Sequence, residues 1–257
     1  MNILVNGIAG HMGREVARLC EEGCRGAALV GGVDIHPSEE RIPVWSCLAD
    51  LPATLDISCI VDFSHHSCVV PLLEYAKENG LPVVVATTGH TEEELAAIRA
   101  AATHIPVFFS ANMSYGVALL VELAKQAAIA MPDADIEIIE KHHNRKLDAP
   151  SGTALMLADE LCRVRQGAYP NPGRSGKAKR EPGEIGIHAV RLGNIVGEHE
   201  VIIGTGSQTI TLKHEAHSRA LFAEGALAAA AFLVTCPPGL YDMKSLFGST
   251  DRAAALC

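Results

Sequence analysis

Asn2-Ile3-Leu4-Val5-Asn6-Gly7-Ile8-Ala9-Gly10-His11-Met12-Gly13-Arg14 opens the chain with an apolar run that stops at a cluster of glycines. Residues 2–6 read as a short strand, and an amphipathic helix follows the glycines through Cys20. Glycines at 7, 10 and 13 permit a tight turn and let backbone N–H groups at a helix N-terminus approach a pyrophosphate. The spacing is Gly-x-x-Gly-x-x-Gly rather than Gly-x-Gly-x-x-Gly, with Ala9 near the usual second glycine, so on its own the motif reads equally well as a plain tight turn. Asp34, 21 residues after Gly13, ends the second expected strand, where a carboxylate can accept hydrogen bonds from ribose hydroxyls. As an ordinary turn residue Asp34 would need no ligand. Ile35 follows it where an arginine would pair with a 2′-phosphate, and His36 is a weak substitute, so NADH is favoured over NADPH.

Strand and helix signals alternate through the first half. Strands are expected over 27–33, 57–63, 81–87 and 105–110. Ser67 is the expected cap of a helix that Gly80 ends, and Thr91 with Glu94 forms a capping box for a helix to about Ala102. This alternation means a parallel sheet covered on both faces. The second half differs: a helix over 117–130, a strand over 135–142, a helix over 151–166, then closely spaced strands at 188–192, 200–203 and 208–214 before a helix at 218–234. The Gly-, Pro-, Lys- and Arg-rich stretch 169–186 reads as a mobile loop. The fold class is therefore α/β: a Rossmann-type parallel-sheet domain plus a central α+β domain with a mostly antiparallel sheet.

The chain has 257 residues, 48% of them hydrophobic and 4% aromatic, enough for two modest cores. A formal charge of −9 argues against nucleic acid or a membrane surface as partner. No apolar run reaches the about 20 residues of a membrane span, and the first residues enter a strand with no basic leader. Eight cysteines, at 20, 24, 47, 59, 68, 162, 236 and 257, are scattered without zinc spacing or the density of a disulfide framework. The expectation is a reduced, cytoplasmic protein without a bound metal.

Against that acidic background, Glu140-Lys-His-His-Asn-Arg-Lys-Leu-Asp-Ala-Pro-Ser-Gly-Thr153 collects His142, His143, Arg145 and Lys146 beside a helix start. A basic run is usually a solvated face. Here Ser151 can cap the helix, and the N–H groups of Gly152 and Thr153 can receive a carboxylate. Asp148 can orient a donor or neutralise Lys146, and a lysine crowded by cations can act as an acid. The cluster suits anion recognition joined to proton transfer. The turns 86–89 and 110–114 follow strands that end on the glycine-turn edge, so they can line a nicotinamide, although ordinary loop chemistry explains them equally.

Glu140-x-His-His-x-x-Lys146-x-Asp-Ala-Pro-Ser-Gly-Thr153 resembles the signature of the 4-hydroxy-tetrahydrodipicolinate (dihydrodipicolinate) reductases. The likeness extends to the Gly7–Arg14 turn, Asp62-Phe-Ser64, Thr87-Thr-Gly89, Ala111-Asn-x-Ser114 and Val190-Arg-x-Gly-x-Ile-Val-Gly-Glu-His199. It implies a nucleotide domain from 1–113 and 220–257, and a domain from 114–219 that binds a small dicarboxylate and builds a homotetramer. It further implies that His142 donates or accepts a proton and that Lys146 donates one. His143, Ser151, Gly152 and Thr153 would hold substrate. Gly7, Ile8, Ala9, Gly10, His11, Met12, Asp34, Ala86, Thr87, Thr88, Ser110, Ala111, Asn112 and Met113 would contact NADH or NADPH. The implied reaction is loss of the 4-hydroxyl as water, hydride addition at ring carbon 4 and protonation of the enamine, in lysine and diaminopimelate biosynthesis. Two positions depart from the pattern: Ala86 stands where glycine is common, and no arginine follows the ribose-binding acid. The sequence leaves two rivals, an amino- or imino-acid dehydrogenase of aspartate-dehydrogenase type and a regulator that binds NAD(H) without turnover.

Overall fold

The computed structural model describes residues 1–36 and 42–247, so Cys257 and the end of the expected 220–257 segment lie outside the described residues. The chain divides into two units, Met1–Tyr115 with Ala220–Cys257, and Gly116–Arg219.

In the first unit β1 (Asn2–Asn6) leads through the glycine turn into α1 (His11–Glu21) and returns as β2 (Ala28–Val33). A two-residue strand, β3 (Val44–Trp45), precedes β4 (Cys59–Asp62). Then come α2 (Val69–Asn79), β5 (Val83–Val85), α3 (Glu92–Ala101) and β6 (Pro106–Phe109). All residues of β4 and β5 are buried, as continuous apolar runs covered on both faces must be. Leu4, Ile60, Val85 and Val107 of the sheet pack with Leu72, Leu73 and Ile98 of the helices.

Local signals account for most helix ends. Thr91 and Glu94 form the expected capping box, and Gly80 closes α2 in the left-handed region at φ 65°. Ser67 is not a helix cap: the His65 ring accepts from the Ser67 amide and starts a 3-10 turn over His66–Cys68, from which α2 continues. The imidazole takes the capping role because it lies one residue outside that turn.

Gly116–Arg219 contains most of α4 (Tyr115–Ala130), β7 (Asp135–His142), α5 (Gly152–Val164), β8 (Tyr169–Pro172), β9 (Glu184–Arg191), β10 (Gly197–Gly204) and β11 (Thr209–Ala216). The sheet order is β11-β10-β7-β9-β8. β10 pairs antiparallel with β11 and β7, whereas β9 pairs parallel with β7 and β8, so the sheet is mixed rather than mostly antiparallel. The stretch expected as a loop from Tyr169 to Gly186 contributes β8 at one end and the start of β9 at the other. Pro170 and Pro172 hid the strand, yet β8 is an edge strand, where a missing N–H is tolerated. Ile136, Ile138, Val201, Ile203, Ile185 and Ile187 of the sheet bury one face against Leu120, Val121, Leu157 and Leu161 of the helices.

The chain then returns to the first unit as α6 (Ala220–Leu233) and β12 (Gly239–Tyr241), which pairs parallel with β6. This completes a parallel sheet of seven strands, ordered β12-β6-β5-β4-β1-β2-β3. No helix among the described residues is long and apolar enough to cross a membrane. α6 is almost wholly buried, and a Cβ on Gly225 would come 1.7 Å from the Met113 carbonyl oxygen. Gly225→Ala is therefore expected to lower stability by about 3 kcal/mol through overpacking against backbone, seen as a lower urea midpoint at unchanged slope. Gly206→Ala, where a Cβ meets nothing within 4 Å, is the control and should stay within about 1 kcal/mol.

Candidate active site

The carboxyl ends of β1, β2 and β4 frame a cleft of about 1120 Å³ in the first unit. Gly7, Ala9, Gly10, Asp34 and Ser64 line it. Gly7 sits at φ 81°, and a Cβ there would meet the Ser64 backbone at 2.7 Å. A Cβ on Gly13 would fall 2.1 Å from the Gly7 carbonyl oxygen, so the turn folds directly onto the first turn of α1. Gly10 is the N-cap and supplies no side chain, which leaves the helix N-terminus with its dipole and no capping group.

Asp34 is less open than its sequence position implies. Its Oδ2 accepts from the Ala9 amide at 3.0 Å and its Oδ1 from the His36 amide at 3.0 Å, tying the end of β2 to the glycine turn. Each oxygen keeps a lone pair for a further donor. The Ile8 side chain is fully buried against Gly32, and Met113 is 2% exposed, so both side chains belong to the core. His11, Thr88 and Ala111 are exposed, and Met12 and Ala86 are half-buried. Ser110 accepts from the Asn112 amide at 3.3 Å, and Asn112 accepts from the Ser114 amide at 2.8 Å, which shapes the turn after β6. Thr87 turns its hydroxyl inward to Asp62. Burial pushes the Asp62 carboxyl up, against hydrogen bonds from Ser64, Asn6 and Thr87.

The second unit centres on Glu140, whose side chain is fully buried. Arg191 donates to both of its oxygens, at 2.8 and 2.7 Å. The His142 Nδ1 lies 2.6 Å from Oε2, and the Ser151 amide donates to Oε1 at 2.9 Å. Burial alone would raise this carboxyl, but Arg191, His142 and the Ser151 amide hold it below the ordinary carboxylate value. Along β7 the buried face runs Ile136, Ile138, Glu140, His142, so a hydrogen-bonded polar pair continues the apolar stripe toward the loop that follows. Gly197 leaves room for the His142 ring: a Cβ there would come 3.1 Å from Nε2.

Ser151 caps α5, accepting from the Ala154 amide, while its hydroxyl lies 3.1 Å from His199 Nε2. Gly152 opens the helix onto free space. The His143 Nδ1 is buried without a hydrogen-bond partner among the described residues. Burial, then the nearby Arg145, Arg219, His142 and Lys146, push its imidazole below the ordinary value. The Lys146 Nζ lies 2.7 Å from Asp148 Oδ1, so a carboxylate answers the crowding of cations. That pairing, with the Lys146 hydrogen bond foremost, lowers the Asp148 carboxyl. Arg145 is exposed and donates to Asn194 at 2.8 Å. No cluster of three or more His, Cys, Asp or Glu among the described residues is placed to hold a metal ion.

Residues 1–113 match the family described as dihydrodipicolinate reductase, N-terminus, and residues 116–247 match dihydrodipicolinate reductase, C-terminus. The chain belongs to the dihydrodipicolinate reductase family. It is 45% identical over 251 residues to the 4-hydroxy-tetrahydrodipicolinate reductase of Caldanaerobacter subterraneus subsp. tengcongensis, covering 96% of this chain and 98% of that one. A second relative so named, from Alkaliphilus oremlandii, is 42% identical over 248 residues, covering 96% and 98%. A solved dipicolinate-bound dihydrodipicolinate reductase from Paenisporosarcina sp. TG-14 superposes with TM-score 0.80 at 26% identity, covering 94% of this chain and 97% of that one.

The reductase cluster gains members that residue reading did not assign a role: Glu140, Arg191 and His199. Arg191 pairs in register with His142, and His199 with Glu140, so three strands bring them together. For Glu140 a signal existed, since a carboxylate in phase with Ile136 and Ile138 has to be paired. Burial first, then the His142 charge, lowers His199 from 6.5 to about 4. The unfolded chain protonates this group near 6.5 and the folded chain only near 4. Its full stability is therefore present above that window and lost as pH falls through it. The loss is about 3 kcal/mol, and His199→Gln should remove it. An unchanged pH dependence of the urea midpoint in that variant would rule out His199 as its source.

Proposed function

We propose that this chain is a 4-hydroxy-tetrahydrodipicolinate reductase, reducing its cyclic imine dicarboxylate with NAD(P)H and loss of water in lysine and diaminopimelate biosynthesis. The observation that carries the reading is the Glu140-anchored group of His142, His143, Lys146 and the α5 N-terminus, in a chain matched to reductases over nearly its whole length. The unit of 116–219 is the substrate-binding and oligomerisation part of this proposal, and the remaining unit is its nucleotide-binding part. The tight Gly7–Gly13 turn and the uncapped α1 N-terminus fit a dinucleotide, because no Cβ or capping side chain obstructs a pyrophosphate.

Gly7 to Met12, Asp34, Ala86 to Thr88 and Ser110 to Met113 would hold the cofactor, Ile8 and Met113 through their backbone, since their side chains are buried. When bound, reduced nicotinamide supplies the hydride that adds at ring carbon 4 of the dehydrated substrate. His143, with its unsatisfied Nδ1, joins Ser151, Gly152 and Thr153 at the positive end of α5 to receive carboxylate. Lys146 gives the proton to the enamine, and Asp148 orients its Nζ beforehand. The Glu140 carboxylate fixes the His142 ring through Nδ1, leaving Nε2 as the atom that gives or takes a proton.

NADH is the preferred donor in this reading. Asp34, Glu74 and Glu78 line the cleft with Arg14 as the one Lys or Arg among its described lining residues, a poor setting for a 2′-phosphate. The family resemblance supports a homotetramer. A reducing, cytoplasmic setting belongs to the same proposal.

Absorbance at 340 nm tests the reading, with the condensation product of pyruvate and aspartate semialdehyde as substrate. Oxidation of NADH is expected, with a KM about tenfold below that of NADPH, equivalent to about 1.4 kcal/mol. A chain that binds NADH but oxidises neither donor is a regulator instead. Lys146→Ala should lower kcat at least about 100-fold, the usual contribution of a general acid. A kcat within threefold of wild type would remove Lys146 from the proton step.

A further inference from the structure

We propose that His90, wedged between Glu94 and Thr87, is a positioning residue that sets the Thr87-Thr88-Gly89 turn against the nicotinamide cofactor. The inference rests on the cofactor reading of the first unit and concerns a side chain that this reading does not use.

The His90 side chain is 2% exposed and meets the Phe109 ring edge-on, with centroids 5.5 Å apart at 71°. Its Nε2 lies 3.0 Å from the Thr87 hydroxyl oxygen and 3.2 Å from the Thr87 carbonyl oxygen. Its Nδ1 lies 3.4 Å from Glu94 Oε2, in contact with the carboxylate but not hydrogen-bonded to it. Thr87 in turn donates to Asp62 at 3.4 Å, and Asp62 accepts from Asn6 at 2.9 Å and from Ser64 at 2.5 Å. Whichever ring nitrogens carry protons, the imidazole joins a polar chain from the ends of β1 and β4 to the start of α3.

Glu94 is the fixed end of that chain. It accepts from the Thr91 amide at 2.9 Å as part of the capping box, and it faces His66 Nδ1 at 2.9 Å. His90 is therefore referenced to the rigid start of a helix, and it passes that reference to Thr87. The other side of the turn is free: Thr88 and Gly89 are exposed, Gly89 at φ 83°. They lie past the carboxyl end of β5, the edge where open α/β sheets bind ligands. An apolar residue at position 90 would fill the space beside Phe109 at no polar cost. A buried imidazole with two carboxylates in its chain does something packing does not require: it fixes the direction of one turn.

Three variants test this. His90→Phe keeps a ring against Phe109 and removes both nitrogens. His90→Gln restores a polar group within reach of Thr87. Glu94→Gln keeps a capping-box residue and removes the charge. NADH affinity is read directly by fluorescence titration, without turnover, and kcat and KM are read in the 340 nm assay. His90→Phe is expected to raise the NADH Kd about fivefold and to lower kcat about tenfold, leaving the dicarboxylate KM within about twofold. His90→Gln should recover most of the affinity, and Glu94→Gln should weaken NADH binding in the same sense. NADH Kd and kcat within twofold of wild type in Glu94→Gln and in folded His90→Phe would overturn the proposal. So would an equal rise in the dicarboxylate KM, which marks general loosening. If His90→Phe does not fold, Glu94→Gln decides alone. Wild-type protein that binds NADH without reducing the dicarboxylate would overturn the reductase reading while leaving this test intact.

Discussion

A carboxylate with no exposure to water cannot sit beside isoleucines unless every lone pair finds a donor. Glu140 meets that condition with the Arg191 fork, the His142 ring and the Ser151 amide. Those partners come from β9, from β7 itself and from the start of α5. One buried charge thus fixes the end of the central strand, its parallel neighbour and the helix start in a single arrangement. Removing any partner would expose the desolvation cost of an ion, several kcal/mol, rather than the modest value of one hydrogen bond.

The loop between β7 and α5 inherits this order. Arg191 also donates to the Asp148 carbonyl at 2.6 Å, so the cation that neutralises Glu140 holds the far end of the loop that carries Lys146. Asp148 then holds Lys146 by its side chain. The proposed proton donor is placed through two ion pairs in series, while its side chain stays 23% exposed. His142 is the opposite case, mostly buried and gripped at Nδ1. The two candidate proton carriers differ in exposure because one is tied to a buried anion and the other to an exposed one.

Sequence reading succeeded where the physics is local. Asn2–Asn6 and Asp135–His142 are strands as expected because each is a short β-favouring run bounded by turn residues. The capping box at Thr91 needs only residues three apart. What escaped reading is what depends on register or on edges. Arg191 and His199 become neighbours of the His142 cluster only once β9 and β10 are laid against β7. Two prolines disguised β8 as loop, because nothing in the chain reports that a strand will lie at a sheet edge. Asp34 was legible as a carboxylate at a strand end, but not its commitment to the Ala9 and His36 amides. Ile8 was grouped with its glycine neighbours by position alone, while its side chain belongs under β2.

In the proposed function the two units bind anions in different ways, and the difference follows from what each would discriminate. Around Gly7–Gly13 the chain offers backbone dipole, and Arg14 is the one lysine or arginine among the described residues lining the cleft, beside Glu74 and Glu78. Dipoles at a helix start attract a pyrophosphate already carried by a larger molecule, and surrounding carboxylates penalise one extra phosphate. Around Glu140 the chain gathers Arg145, Lys146 and Arg191 with the imidazoles of His142 and His143, within an acidic protein of net charge −9. A small dicarboxylate, the substrate of the proposed function, has little surface to recognise beyond its charges, so charged donors suit it better than backbone dipole alone. A buried carboxylate then becomes the means of holding such groups still, as Glu140 does for Arg191 and the His142 ring. In the proposed function Glu140 touches no ligand and fixes the direction of groups that do.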